Sequence, residues 1–144
     1  MTRLAIAAGC LLTVSVASTA GAQGKADFIE PYRGTWRGVI YNRARDSVMV
    51  TWQWVQGSDS TGRFTFAQES TFTSSRVVFA SSDSIVFDLL SPLRFSPGHP
   101  YDGATQRYVA LIRGDSVLGT VYTRLVDGRQ GRRPFAGVRA VTPP

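Results

Sequence analysis

The chain has 144 residues, 43% hydrophobic, 11% aromatic and 18% charged, with 14 Gly and 7 Pro. These proportions exclude a disordered tail, a coiled coil and a collagen-like repeat, and they fit one globular domain. Sixteen basic against ten acidic residues give a formal charge of +6; the arginines are scattered except for Arg124, Arg129, Arg132 and Arg133, and no aromatic interleaving suited to base stacking accompanies that cluster, so nucleic acid is not an expected partner.

The N-terminus has one cation, Arg3, then an apolar stretch from Leu4 to Val16 and the small-residue triplet Ala20-Gly21-Ala22. This is the anatomy of a signal peptide over residues 1–22, cut before Gln23, and it predicts a periplasmic or secreted single domain over 23–144. The sole cysteine, Cys10, falls inside the export segment, so neither a disulfide nor thiolate chemistry is expected after cleavage. Ala7-Ala8-Gly9-Cys10 resembles the end of a lipoprotein signal, but the apolar run continues past the cysteine, which favours the cut after Ala22. No later stretch approaches the roughly 18 apolar residues of a membrane helix, so the mature chain is expected to have no transmembrane segment.

From Asp27 to Tyr32 there is room for about one helical turn before Pro31 ends it. Period-two alternation then takes over. Residues 34–41 form a first strand with Trp36, Gly38 and Ile40 on one side. Val48, Val50, Trp52 and Trp54 face inward on a second, and Phe64 and Phe66 on a third over 62–68. Val77 and Phe79 mark a fourth over 75–80, and Ile85, Phe87 and Leu89 a fifth. Three prolines, two glycines and the only histidine, His99, make 91–103 the longest loop. Strands resume at 105–113, 116–125 and 134–141, for a total of eight. Asp-Ser pairs at Asp46, Asp59, Asp83 and Asp115 stand just before apolar strand starts, where Asp and Ser side chains hold tight turns. Short connections imply nearest-neighbour antiparallel pairing, hence an all-β, eight-stranded up-and-down barrel; a two-sheet sandwich is the alternative and needs longer crossings.

Gly34-Thr35-Trp36, opening the first strand after a short helical lead-in, resembles the Gly-x-Trp motif of lipocalins and other calycins. Phe135-Ala136-Gly137-Val138-Arg139 looks like the last strand of such barrels, and Leu118-Gly119 is similar to a Leu-x-Gly strand in small exported calycin-like domains. The resemblance implies that Arg139 packs over Trp36 and closes the barrel base, a cation–π contact of roughly 0.5–2 kcal/mol. It also implies a binding role for a small hydrophobic ligand. The absence of a disulfide, the short strands and the lack of a long helix after the last strand depart from lipocalins and imply a small interior.

Catalysis is not expected: the chain has one histidine, ten dispersed acids, and neither Gly-x-Ser-x-Gly nor His-Glu-x-x-His. His99 as a base would need an orienting acid, for which Asp102 is nearest in sequence, and a single imidazole without cysteine argues against a metal site. No cofactor is expected. The inward aromatics either fill the interior or line an apolar site, and the candidate ligand-binding residues are Trp52, Trp54, Phe64, Phe66 and Phe87. The alternative is an interaction or inhibitor module with a filled barrel, meeting a protein or an anionic partner through residues 91–103 and 124–133.

Overall fold

The computed structural model describes residues 28–67, 69 and 72–141, so the expected export segment and its Cys10 lie outside the described residues. A 3₁₀ turn at Glu30–Tyr32 leads into eight strands: β1 (Gly34–Tyr41), β2 (Val48–Gln56), β3 (Thr61–Phe66), β4 (Thr73–Ala80), β5 (Ser84–Leu89), β6 (Thr105–Arg113), β7 (Ser116–Arg124) and β8 (Gln130–Arg139). Each pairs antiparallel with its neighbour in sequence, and β8 returns to β1, giving a closed up-and-down barrel. Closure leaves every strand paired on both sides, which removes the sticky edges of an open sheet.

Side-chain period and turn chemistry account for this. Ile85, Phe87 and Leu89 of β5 are buried in alternation with less buried Ser84, Val86 and Asp88, as a pleated wall with one wet side requires. Asp59 Oδ1 accepts both the N–H (2.9 Å) and the hydroxyl (2.7 Å) of Thr61 in the β2–β3 turn, and Ser81 Oγ accepts the Ser84 N–H (3.1 Å) in the β4–β5 turn.

Two local features differ from the alternation read along the chain. Phe79 is 53% exposed, because the register against β5 shifts between Val77 and Phe79 and turns Phe79 outward beside its partner Val86. And β8 begins at Gln130: Gln130 to Arg133 pair with Arg124 to Val121, so half of the Arg-rich stretch is strand.

In an up-and-down barrel alternate turns collect at opposite ends. The base has the 3₁₀ turn and the β2–β3, β4–β5 and β6–β7 turns; the mouth has the β1–β2, β3–β4 and β7–β8 connections and the long β5–β6 loop. At the base Trp36 is fully buried, donates its Nε1–H to the Tyr32 carbonyl (2.8 Å), and has the Arg139 guanidinium 4.3 Å from its ring centroid. Arg139 also donates to the carbonyls of Pro31 and Arg33 and to Asp115 Oδ1. One side chain thus ties the lead-in turn, the end of β8 and the β6–β7 turn together, and gives the 3₁₀ turn's C-terminal carbonyls their donors.

Candidate functional site

Above that base the interior is a column of rings. Trp54 stacks on Phe87 (4.4 Å between centroids, 10° between planes), and Phe87 stacks on Tyr108 (4.8 Å, 1°). Phe64 meets Tyr108 at 4.9 Å and Trp52 at 5.6 Å, while Phe135 packs edge-on to Trp52 and Tyr108. Such pairs contribute about 0.5–1.5 kcal/mol each beyond their burial. Trp52 lies flat over the neighbouring β1 and β8 because Gly38 and Gly137 offer no Cβ where its benzo ring lies. Trp54 gives its Nε1–H to Ser75 Oγ (3.1 Å), whereas the equally large Trp52 buries its Nε1–H without a partner among the described residues.

The packing ends short of the mouth, and a cavity of about 420 Å³ takes its place. Ile40 of β1, Val50 of β2, Phe66 of β3 and Val121 of β7 form its apolar wall, and Leu93 and Phe95 of the β5–β6 loop cover it. Of the five residues expected to bind a ligand, the structure brings Phe66 to this cavity; Trp52, Trp54, Phe64 and Phe87 are rings of the column beneath. The volume lies inside the roughly 300–1,000 Å³ of small-molecule sites.

Polar groups enter at defined points. Tyr108 donates its hydroxyl to Gln106 Oε1 (2.9 Å), and Gln106 Nε2 donates to Thr123 Oγ1 (3.2 Å), a hydrogen-bonded chain from the ring column to the cavity wall. Burial pushes the Tyr108 phenol well above its ordinary value, and the Glu69 charge adds to the rise. Glu69, in the β3–β4 connection, lines the cavity, and burial raises its carboxyl as well. Arg133 faces it from β8, with Nη2 donating to the Tyr101 hydroxyl oxygen (3.0 Å).

The β5–β6 loop is organised from within. Leu93 and Ala104 are linked by an N–H···O bond of 2.8 Å, Asp102 Oδ1 accepts the Phe95 N–H (2.9 Å), and His99 stacks on Phe95 at 4.2 Å. His99 Nδ1 accepts the Tyr101 N–H (3.2 Å), so the histidine and Asp102 each hold loop backbone instead of each other.

Glu69, Gln106 and Thr123 were not among the candidates from sequence, and Arg133 was one only as part of the 124–133 stretch expected to meet a protein or an anionic partner. Phase would have found three of them: counting by twos from buried Tyr108 points Gln106 inward, counting on from buried Val121 does the same for Thr123, and counting back from buried Phe135 does so for Arg133.

The chain matches no family model, no curated protein and no solved structure. Its role is therefore read from the barrel and its cavity.

Proposed function

We propose that this chain is a calycin-like binding barrel that holds a small, mostly apolar ligand in the cavity at its mouth and performs no chemistry on it. The observation that supports this most directly is the division of the interior: rings fill the base, while the mouth keeps about 420 Å³ walled by Ile40, Val50, Phe66 and Val121 under a loop tied down by its own hydrogen bonds. A concave apolar site with a few convergent polar groups is what small-molecule recognition uses. A non-catalytic role is favoured by the engagement of His99 and Asp102 in loop backbone contacts. Export to the periplasm or medium belongs to the same proposal and rests on residues 1–22 of the sequence.

The test is titration of the neutral dye phenylnaphthylamine, displaced by octanol, into wild type and Val121→Phe. Val121 is buried and lines the cavity, so the added ring should occupy ligand space. Dye emission should rise with wild type and fall as octanol is added, and the substitution should weaken binding by roughly tenfold or more, about 1.4 kcal/mol. No emission change with folded wild type, or an affinity indifferent to Val121→Phe, would move the function to residues 91–103 and the β7–β8 hairpin.

A further inference from the structure

The wall of the barrel opens beside the mouth for a reason visible in its hydrogen bonding. Arg139 donates its N–H toward β7, to the Asp115 carbonyl (2.8 Å), and Ala140 donates toward β1, to the Thr35 carbonyl (2.8 Å). β8 keeps its register against both neighbours. Even-numbered positions therefore direct their amides at β1. Position 134 is one of them, and Pro134 has no N–H to give. Pairing with β1 stops at Ile40 and Phe135, whereas pairing with β7 runs on to Gln130.

Past that point the β1–β2 register shifts between Ile40 and Tyr41, with Met49 the extra residue on β2, and β1 enters the 42–47 turn, leaving a groove between this turn and the start of β8. Its walls are cationic: Arg43 and Arg45 from the turn, Arg132 and Arg133 from β8. The turn is set by Asn42, whose N–H bonds the Ser47 carbonyl (3.0 Å) and whose side-chain oxygen accepts the Asp46 N–H (3.2 Å). It holds Arg45 at φ 62°, a left-handed conformation uncommon for arginine. Asp46, the acid of this turn, accepts from the Asn42 amide. None of the ion pairs among the described residues includes any of the four arginines.

The groove and the cavity adjoin, with Arg133 in the lining of both. Arg133, Tyr101 and Thr123 line the cavity, and the same three, with Arg43 and Arg132 of the groove, line a smaller pocket between the two. Resting on the proposed binding role, we propose that the ligand is a single-chain amphiphile whose tail occupies the cavity and whose phosphate monoester head lies among Arg43, Arg45, Arg132 and Arg133. Four guanidiniums that form no ion pair among the described residues repel each other in one groove, and an anion among them relieves that repulsion. Phosphate answers this better than a carboxylate, because it brings about −1.5 to −2 charges and three acceptor oxygens, which suit the forked donors of arginine. A long polyanion would need a basic track; this groove is instead short and adjoins an apolar cavity.

The experiment compares octyl phosphate, octanol and inorganic phosphate at low salt, by calorimetry, on wild type, the double variant Arg43→Gln/Arg45→Gln and the control Arg113→Gln at the barrel base. Octyl phosphate should bind wild type roughly tenfold or more tighter than octanol. That advantage should shrink with added salt and in the double variant, and persist in Arg113→Gln. Equal affinity for octyl phosphate and octanol, or an advantage lost equally in Arg113→Gln, overturns the head-group site and leaves the cavity reading standing. Inorganic phosphate binding as tightly as octyl phosphate overturns the amphiphile in favour of a free anion. Failure of octanol and octyl phosphate alike overturns both readings.

Discussion

The base and the mouth of this barrel are built from the same strands, yet they hold opposite contents. At the base, Trp36 is sealed by Arg139 and the ring column packs without leaving a cavity of the mouth's size; at the mouth, the inner positions carry Glu69, Gln106, Thr123 and Arg133 around open space. Close packing of rings stabilises a fold. Charged and polar side chains turned inward do little for stability, and such groups are characteristic of sites that recognise something. The contrast assigns folding to one end and binding to the other, and each substitution below asks whether that division holds.

The largest effect is expected at the base. Trp36→Ala removes a fully buried indole together with its bond to the Tyr32 carbonyl and its contact with Arg139. It should cost about 3–5 kcal/mol, a large share of the roughly 5–15 kcal/mol typical of a domain. Chemical denaturation would show a lower midpoint with an unchanged slope. A loss under about 1 kcal/mol would mean that the seal is not where the stability lies. Gly38→Ala should have the next largest effect. A methyl there would run into the Ala136 carbonyl and come within 2.6 Å of the Trp52 ring, so it forces the column to shift. Overpacking of this kind costs about 1–3 kcal/mol, read as a lower thermal midpoint and weaker near-ultraviolet tryptophan dichroism.

The base was far easier to read from the sequence than the mouth. Strand positions and the closing order follow from alternation and short turns, which are local patterns, and the meeting of Trp36 with Arg139 was implied by the resemblance of two terminal motifs to calycin barrels. The exposed Phe79 was illegible because Val77-Val78-Phe79-Ala80 is a continuous apolar run that fixes no phase; only the partner strand reveals the extra residue. The cavity was hidden differently. Trp52, Trp54, Phe64 and Phe87 do face inward, but how far along the axis each ring sits depends on the stagger between strands, which no single strand encodes. Arg133 read as part of a surface cluster because charge usually means solvent, although its phase with Phe135 pointed inside.

The smallest effect, and the most direct probe of the mouth, is expected from Glu69→Gln. Burial raises the Glu69 carboxyl above its ordinary value in the folded chain. In the window between the ordinary and the raised value, the folded state keeps a proton that the unfolded state has released, so stability falls as pH rises through that window and stays reduced above it. Glutamine fills similar space and never ionises. The variant should therefore match wild type at pH values below the ordinary carboxylate range and gain a small advantage at neutral pH, smaller than the Gly38→Ala loss and opposite in sign. Denaturation midpoints of both proteins across that pH range measure the difference. A variant less stable than wild type at neutral pH would show that the carboxylate has a stabilising partner, making Glu69 part of the folding machinery. The expected sign instead places in the cavity wall a carboxylate whose burial the fold does not offset, as the proposed binding role of the mouth leads one to expect.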